Sequence, residues 1–431
     1  MTYASAVAYL YSLQKHGIKL GLDTMTALIG RLGMPQSGYR TLHIAGTNGK
    51  GSTAAMTAAI LQEAGYRVGL YTSPHLIEFR ERIRVNGQVI SESEVARLTD
   101  RLKELCEPDL SPTFFECTTA MALQHFADAQ INVAVLEVGL GGRFDATNVV
   151  KPLACTITTI ALDHQEFLGT TLASVAFEKA GIIKQNVPVV VGRVPDEARR
   201  TIEQVAIERA APLIRLGREF EVVGQGPERF DFSGRLVRYD NLSCPLLGAH
   251  QLDNAACALA LLETAGERGM VTGEQAVREG LRGVHWEGRL EVVGQHPLIV
   301  LDGAHNPAAA MAVASYLRTF RLSHPGGRVI LVLGMMRDKD HRGFVEPLKG
   351  LVDEMVLTQA DLPRSTTVQE LEAAVIGTWS HPFARATLSD ALGQAKQLAR
   401  PEDLICVTGS LMLIGDVKAL LRGCGLSPLR G

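Results

Sequence analysis

The stretch TLHIAGTNGKGSTAAMTAAILQEAG, residues 41–65, places an apolar β-branched run, a glycine-rich turn and a helical pattern in direct succession. This order favours phosphate binding, because glycines let backbone amides approach phosphate oxygens and the N-terminus of the following helix attracts negative charge. Lys50 supplies a cation for the β- and γ-phosphates, and Ser52 is a candidate magnesium ligand. The predicted nucleotide contacts of this phosphate loop are Thr47, Asn48, Gly49, Lys50, Gly51 and Ser52.

The phosphate loop differs from the common nucleotide-binding form G-x-x-x-x-G-K-[ST]. It is shorter, and Gly51 stands between the lysine and the hydroxyl residue. The alternative interpretation is a glycine-rich turn that carries a solvated lysine. Glycines, lysine and hydroxyl fall in the expected order at a strand-to-helix junction, and this favours the phosphate interpretation.

Strand and helix patterns continue to alternate on both sides of this loop. Continuous apolar runs at 133–139, 154–160 and 187–192 predict buried strands of a parallel sheet. Helical periodicity lies between strands, for example at 91–105. We therefore predict an N-terminal α/β domain with a P-loop-type, mostly parallel sheet flanked by helices. The segment 220–247 differs and predicts short antiparallel strands.

A second alternation of strands and helices follows. Its strand candidates lie at 297–303, 328–334 and 403–409, with helical patterns between them. These patterns predict a smaller, Rossmann-like C-terminal α/β domain. The turn-rich stretch from Gly283 to Pro297 is the expected boundary.

Three further strand ends carry polar residues that a buried strand end would not otherwise favour. They are Ser73, Glu137 and His164. Ligands of open α/β sheets collect at the carboxyl ends of strands, and a carboxylate with a hydroxyl suits magnesium. An imidazole is a less usual ligand for so hard an ion, so His164 is equally well explained as a structural histidine.

The segment after the strand at 133–139 contains a second glycine-rich turn, Gly139-Leu140-Gly141-Gly142-Arg143-Phe144. A dinucleotide-binding fingerprint would require glycine where Phe144 stands, so the sequence disfavours that function. The following Asp145-Ala146-Thr147-Asn148 predicts a polar loop that lines a substrate pocket. The alternative is a simple Asx-type turn.

Composition limits the class of protein. The chain has 431 residues and a formal net charge of -3, which argues against general attraction to nucleic acid or an anionic membrane. No run approaches the length of a membrane span, and no secretion signal is visible at the N-terminus. The seven cysteines are scattered and never form a C-x-x-C pair. Reduced thiols in a cytoplasmic protein are therefore expected.

The order of motifs resembles the folylpolyglutamate synthase and dihydrofolate synthase family, in particular its bifunctional bacterial members, a branch of the Mur-ligase-like amide-bond ligases. The resemblance covers nearly the whole chain. Ten motifs carry it: LGLDTM (20–25), HIAGTNGKGST (43–53), TSPHLIEFRERIRVNG (72–87), TFFECTTAMA (113–122), EVGLGGRFDATN (137–148), LDHQEFLG (162–169), FEKAGIIK (177–184), GAHQLDNAACALA (248–260), EGRLE (287–291) and LDGAHNP (301–307).

The resemblance implies a metal site and a domain division. Ser73, Glu137 and His164 match magnesium ligands of the family, and Lys179 matches a lysine that the family carries as a carbamate. Two magnesium ions are expected. By the same resemblance, 1–287 is an ATP-binding domain with the folate site, 288–297 a linker, and 298–431 a C-terminal ligase domain that completes the ATP and glutamate site.

The resemblance also implies nucleotide and substrate contacts. Asn254, Arg289, Asp302 and His305 match positions near adenine, phosphates and ribose, and Lys50, Lys179, Arg289 and His305 are the expected catalytic residues. The expected folate contacts are Phe115, Glu116, Phe144, Asp145 and Ala146. Two departures, Cys117 where an aromatic residue is frequent and Asp23 where a glutamate is common, bear on substrate preference.

The implied activity is ATP- and magnesium-dependent addition of L-glutamate to dihydropteroate, to reduced folates, or to both, through an acyl phosphate. A monomer acting only on small molecules is expected. Folylpolyglutamate synthase activity alone is one alternative. Others are a nucleotide-dependent switch and a cell-wall Mur ligase, although such ligases carry a UDP-sugar-binding domain before the loop, and only 45 residues precede Gly46 here.

Overall fold

The computed structural model describes residues 1–17, 19, 21–106, 109–376, 379, 382–385 and 387–424. Leu20 of the LGLDTM motif and the C-terminal residues 425–431 of the predicted second domain lie outside the described residues. The chain forms two compact units. The first comprises Met1–Ala161, Gln165–Pro245 and Leu252–His285, and the second comprises Leu162–His164, Leu246–Gln251 and Trp286–Gly431.

The first unit is built on an eight-stranded sheet of order β4-β3-β2-β5-β1-β6-β7-β8. Neighbouring strands pair in parallel along the run β2-β5-β1-β6-β7-β8. Strands β3 and β4 extend the sheet beyond β2 as an antiparallel edge. Their bounds are β1 Arg40–Ala45, β2 Val68–Tyr71, β3 Ile83–Val85, β4 Gln88–Val89, β5 Val133–Glu137, β6 Ala154–Ile157, β7 Val189–Val191 and β8 Leu213–Arg215.

Ten α-helices accompany this sheet among the described residues. They are α1 Tyr3–Ser12, α2 Asp23–Arg31, α3 Lys50–Glu63, α4 Glu92–Cys106, α5 Phe114–Asp128, α6 Gln165–Leu168, α7 Leu172–Ala180, α8 Asp196–Glu208, α9 His250–Gly266 and α10 Glu274–Gly283. A separate antiparallel sheet contains β9 Glu221–Gly226, β10 Arg229–Ser233 and β11 Arg238–Leu242. The prediction of short antiparallel strands at 220–247 is thereby confirmed.

The central strands are buried along their whole lengths. All residues of β5, β6 and β7 are buried, and only Arg40 of β1 is exposed. Strands covered on both faces bury consecutive side chains, so their sequences are continuously apolar instead of alternating. This is why the parallel sheet could be predicted, and the predicted fold class is confirmed.

The strand order determines where functional loops can meet. Strand β5 lies between β2 and β1, and all three run parallel. Their carboxyl ends therefore lie at one edge of the sheet, where β2 leads to Ser73, β5 ends at Glu137 and β1 leads to Gly46. The phosphate loop and two predicted metal ligands thus emerge from neighbouring strands.

The second unit contains a six-stranded sheet of order β12-β13-β17-β14-β15-β16, parallel except for β12. Its strands are β12 Glu291–Gln295, β13 Leu298–Leu301, β14 Val329–Leu333, β15 Glu354–Leu357, β16 Phe383–Ala384 and β17 Leu404–Thr408. Its helices are α11 Pro307–Ser323, α12 His341–Val345, α13 Val368–Val375, α14 Leu388–Leu398 and α15 Leu411–Arg422. One apolar core joins α11, β14 and β17.

The structure differs from the predicted linker at 288–297. Residues Glu291–Gln295 form β12, which pairs antiparallel with β13. The strand was missed because it lies at a sheet edge, is only partly buried and is interrupted by a register shift between Val292 and Gly294. The short segments 162–164 and 246–251 also belong to the second unit, which a single division of the sequence could not anticipate. The assignment of functions to the two domains stays a prediction.

Among the described residues, no helix has both the length and the apolar composition needed to cross a membrane. All seven cysteines are free thiols, and six of them are buried.

Candidate functional site

The phosphate loop is held in place by the segment that follows β6. The Thr47 amide donates to the Thr159 carbonyl (2.8 Å), and the Asn48 amide donates to Thr159 Oγ1 (3.0 Å). Thr158 Oγ1 donates to the Asn48 carbonyl (2.6 Å). The loop is therefore anchored by protein hydrogen bonds to its backbone amides and to a backbone carbonyl.

Two glycines of this loop are required by geometry. Gly46 has a φ of 149°, and a Cβ there would lie 1.9 Å from Thr158 Oγ1. Gly49 has a φ of 85°, and a Cβ there would lie 2.2 Å from Asn254 Oδ1. Only glycine combines these positive φ values with such close contacts. Asn254, a predicted nucleotide contact, thus lies against the phosphate loop.

Lys50, within the phosphate loop, is also the first residue of helix α3. Its ammonium donates to the carbonyls of Gly46 (3.0 Å) and Thr47 (3.1 Å). The cation therefore lies within the loop instead of extending into solvent. Ser52 is 1% exposed, in the first turn of α3. A helix N-terminus with a nearby lysine is suited to an anionic ligand.

Two of the predicted metal ligands lie next to each other. The Ser73 amide donates to Glu137 Oε2 (3.0 Å), as the order of β2 and β5 requires. The Glu137 carboxylate is buried, with 4% of the residue exposed. A buried carboxylate next to a serine at the neighbouring strand end offers oxygen donors of the kind that suit Mg²⁺ or Mn²⁺.

Lys179 lies in the last turn of α7 and is 5% exposed. Lysine is almost never so deeply buried unless its ammonium is paired or modified. Lys179 is therefore not an ordinary solvated lysine.

Asp145 organises the loop that follows β5. Its carboxylate accepts hydrogen bonds from the amides of Gly139 (3.0 Å), Leu140 (2.8 Å) and Thr147 (3.0 Å), and from Thr147 Oγ1 (2.5 Å). Asp145 is thus the cap of a local turn, as the Asx-type interpretation proposed. Its predicted contact with a substrate stays a prediction.

Among the other predicted substrate residues, two are aromatic side chains, whereas Glu116 caps a helix. The Phe115 ring packs closely against Gly139, where a Cβ would lie 2.4 Å from the ring. Phe144 lies under the Arg143 guanidinium, 4.3 Å from the ring centroid. Glu116 instead closes a capping box at the start of α5, accepting from the Thr113 amide (2.7 Å). Its buried carboxylate therefore already has a structural partner. Ala146 is 5% exposed.

His43 is a buried histidine on β1 that the sequence interpretation did not consider. Its Nε2 lies 2.8 Å from Thr147 Oγ1, while Nδ1 is buried without a partner. Burial, with a smaller contribution from the charge of Lys184, lowers the pKa of His43 to about 3.

The depressed pKa of His43 predicts acid-sensitive stability. Below pH about 6.5, the ordinary pKa of histidine, His43 binds a proton in the unfolded chain but stays neutral in the folded chain. The contribution of His43 to folding stability is therefore fully present above that pH and is lost as the pH falls toward about 3. His43→Gln should lower the slope of the unfolding free energy against pH by up to about 1.4 kcal/mol per pH unit. Denaturant titrations of both proteins between about pH 7 and pH 5, followed by circular dichroism, measure the difference. Equal slopes would contradict the prediction.

In the second unit, Asp302 holds the turn that contains Arg289; both residues are predicted nucleotide contacts. Its carboxylate accepts from the amides of Leu290 (2.9 Å) and Ala304 (2.9 Å), which draws the turn containing Arg289 toward the segment after β13. The Arg289 side chain donates to the Gly288 carbonyl (3.0 Å) and lies close to Gly303. Arg289 and Asp302 are therefore brought together.

Asp163, the neighbour of the predicted ligand His164, is the centre of a polar cluster in the second unit. Its carboxylate contacts Lys339 Nζ (2.7 Å), His305 Nε2 (3.3 Å) and Asn306 Nδ2 (3.0 Å). Burial opposes ionisation, but a hydrogen bond from His305 and the charges of His305, His164 and Lys339 hold the pKa of Asp163 well below its usual range. An ionised carboxylate thus positions His305.

Several residues of these sites were not found from the sequence. Asp163 stands next to a residue that was selected, and Lys339 lies in the polar run MRDKD after the predicted strand at 328–334. The position of a polar run after a buried strand was an available signal for Lys339. Thr158 and Thr159 gave none, because threonines at the end of a strand are common.

Comparison with protein families gives two matches. The family described as Mur ligase, middle domain, matches residues 44–262. The family described as Mur ligase, glutamate ligase domain, matches residues 288–411.

Comparison with characterised proteins extends the similarity to nearly the whole chain. The dihydrofolate synthase/folylpolyglutamate synthase of Bacillus subtilis is 35% identical in an alignment of 434 positions that covers 97% of this chain and 99% of the relative. The chain belongs to the dihydrofolate synthase/folylpolyglutamate synthase family. The Escherichia coli member of the same name is 36% identical, covering 97% of this chain and 95% of the relative. A folylpolyglutamate synthase of Lacticaseibacillus casei is 33% identical, covering 98% and 99%.

Solved structures of family members have the same fold. An E. coli structure in complex with DHPP and ADP has a TM-score of 0.91 and 35% identity, covering 98% of each chain. A bifunctional synthase from Yersinia pestis, in complex with AMPPNP and Mn ion, has a TM-score of 0.89 and 35% identity, also covering 98% of each chain. A further bifunctional synthase structure contains Mn, AMPPNP and L-glutamate, with a TM-score of 0.88, 35% identity and 98% coverage of each chain.

Proposed function

We propose that this chain joins L-glutamate to the carboxylate of dihydropteroate and to the γ-carboxylate of reduced folates, with conversion of ATP to ADP and phosphate. One observation carries the proposal. The glycine-rich phosphate loop, with the Lys50 ammonium bound to its carbonyls, lies at the same sheet edge as the Ser73–Glu137 pair. The chain that carries them is 35% identical to a dihydrofolate synthase/folylpolyglutamate synthase over 97% of its length.

The chemistry requires activation of the carboxylate, because an oxide ion is too poor a leaving group for direct attack by an amine. A carboxylate oxygen attacks the γ-phosphorus of ATP, and ADP leaves. The amine of glutamate then attacks the acyl carbon, the tetrahedral intermediate collapses, and phosphate leaves with one of the original carboxylate oxygens. The amine loses a proton in this step, so the products are the amide, ADP and phosphate.

The proposed role of the phosphate loop is to hold and neutralise the nucleotide. Backbone amides at the start of α3 and the Lys50 ammonium would bind the β- and γ-phosphates. Charge moves onto the leaving ADP during transfer, so a fixed cation there stabilises the transition state. Thr47, Asn48, Gly49 and Gly51 would supply backbone contacts.

The donor set at the ends of β2 and β5 fits a divalent cation, which would neutralise phosphate charge when bound. We propose Ser73 and Glu137 as ligands, with Ser52 as a third and His164 as a further one. Two ions and a carbamate on Lys179 are part of this proposal. Burial of Lys179 supports the carbamate, because a buried ammonium is costly and would repel a divalent cation. A carbamate at the same place is an anion and would attract the cation.

The proposed roles of the remaining residues follow the family resemblance. Asn254, Arg289 and Asp302 would contact the nucleotide, and Arg289 and His305 would act on the phosphates. Phe115 and Phe144 offer aromatic faces for the pterin, with Asp145 and Ala146 shaping its loop and Glu116 at the start of α5. The free thiols agree with the expected cytoplasmic location. Action as a monomer stays a prediction.

A coupled assay of ADP formation tests both the activity and its range. With ATP, magnesium and glutamate present, dihydropteroate and tetrahydrofolate in separate reactions should each release ADP. Omission of either glutamate or the pterin should abolish release. ADP formation in the absence of glutamate or of the pterin would favour a nucleotide-dependent switch and contradict ligation.

Folylpolyglutamate synthase activity alone is the second candidate function. The 33% identical relative from L. casei, which bears only that name, favours it. The two activities differ in where the pterin must lie, because the carboxylate of dihydropteroate is one glutamate closer to the ring. ADP release with tetrahydrofolate but not with saturating dihydropteroate would establish this alternative.

A further inference from the structure

A chain of short hydrogen bonds runs through the interior of the first unit. Asp145 Oδ1 accepts from Thr147 Oγ1 (2.5 Å), and Thr147 Oγ1 lies 2.8 Å from His43 Nε2. His43 and Thr147 are both 0% exposed, and Asp145 is 5% exposed. Three buried polar side chains are thus linked in series.

The direction of each hydrogen bond follows from the count of protons. The threonine hydroxyl carries one hydrogen, and it goes to the carboxylate, which has none to give. His43 Nε2 must therefore carry a hydrogen and donate it to Thr147. The imidazole is neutral, because its Nδ1 is buried without a partner.

This hydrogen-bond chain connects two loops with separate proposed functions. His43 lies on β1, three residues before Gly46, the first residue of the phosphate loop. Asp145 and Thr147 lie in the 139–148 loop after β5, the strand that pairs with β1. The Asp145 carboxylate in turn fixes the amides of Gly139 and Leu140. The position of the 139–148 loop is therefore tied to the strand that carries the phosphate loop.

We propose that His43 and Thr147 are positioning residues that align the 139–148 loop, and with it the pterin substrate, with the phosphate loop. The inference rests on the proposed function and assigns a role to two residues that do not touch the reacting atoms. Transfer of the γ-phosphoryl group requires the substrate carboxylate within about 3–3.5 Å of the phosphorus. A loop that loses its attachment to β1 would bind the pterin less tightly and less accurately.

The substitution Thr147→Val tests the proposal, with Thr147→Ser as its matched control. Valine retains the shape of threonine but leaves both Asp145 and His43 without their shared partner, whereas serine retains the hydroxyl. We expect the KM for dihydropteroate or tetrahydrofolate to rise about tenfold in Thr147→Val and kcat to fall. The KM for ATP should stay within about twofold, and Thr147→Ser should resemble the wild type. Equal kinetics for valine and serine variants would overturn the proposal.

Hydrogen exchange supplies a readout that does not depend on activity. The amides of Gly139 and Leu140, which donate to Asp145, should exchange faster in Thr147→Val than in Thr147→Ser, while the strands keep their protection. Unchanged protection of these amides would overturn the proposal. If Thr147→Val does not fold, His43→Asn applies the same test, because its shorter side chain cannot reach Thr147. An inactive wild-type protein would instead contradict the proposed function, so the two failures are distinguishable.

Discussion

Replacement of Lys50 by alanine is expected to lower kcat by about 10²- to 10³-fold, the usual cost of removing one preorganised electrostatic group. The ammonium of Lys50 lies within the phosphate loop, bound to the carbonyls of Gly46 and Thr47. Its loss leaves the transferring phosphoryl group without this fixed cation. Steady-state kinetics with saturating ATP, magnesium, glutamate and dihydropteroate measure the effect.

Two controls separate chemistry from folding. Lys349→Ala makes the same change of charge at an exposed position outside the proposed site and should leave kcat unchanged. Circular dichroism and thermal unfolding of Lys50→Ala should match the wild type. Near-normal turnover in folded Lys50→Ala would contradict the assignment of residues 46–52 as the phosphate loop.

The second large effect is expected at Lys179. If this buried lysine is a carbamate, Lys179→Ala should lose at least about 10²-fold in kcat, since an anion that helps to hold a divalent cation is lost. Short carboxylic acids should restore part of the activity of Lys179→Ala by occupying the vacated volume. Lys179→Arg should be equally inactive but not rescued, because arginine fills the space and keeps a positive charge.

The carbamate itself has a direct spectroscopic signature. Carbamate formation joins the neutral amine of Lys179 to carbon dioxide and releases one proton. Protein equilibrated with ¹³C-labelled carbon dioxide should therefore show a carbamate carbon resonance that is absent from Lys179→Ala. Its absence from active wild-type protein would refute the modification and leave the proposed ligation untouched.

Much of the fold could be predicted because buried parallel strands have continuous apolar sequences. The runs at 133–139 and 154–160 became β5 and β6 for this reason. The pairing of Ser73 with Glu137 could be anticipated as well, since residues at the carboxyl ends of neighbouring parallel strands share one edge. These predictions depend on local pattern and on general rules of sheet geometry.

Other features depend on tertiary packing and had no local signature. The burial of Lys179 is decided by the surroundings of α7, and the anchoring of the phosphate loop by Thr158 and Thr159 is decided by the pairing of β1 with β6. Strand β12 is a partly exposed edge strand with an irregular register, so its sequence lacked a clear period. The capping box from Thr113 to Glu116, in contrast, has a recognisable S/T-x-x-E pattern that the sequence interpretation did not use.

The central claim, activation of a carboxylate as an acyl phosphate, is tested most directly by transfer of an oxygen isotope. Dihydropteroate whose carboxylate oxygens are both ¹⁸O should be incubated with the protein, ATP, magnesium and glutamate. The account predicts that each phosphate released carries one ¹⁸O atom, that the amide carbonyl of the product keeps the other, and that ADP carries none. Release of unlabelled phosphate alongside product, or the appearance of the label in AMP, would contradict it.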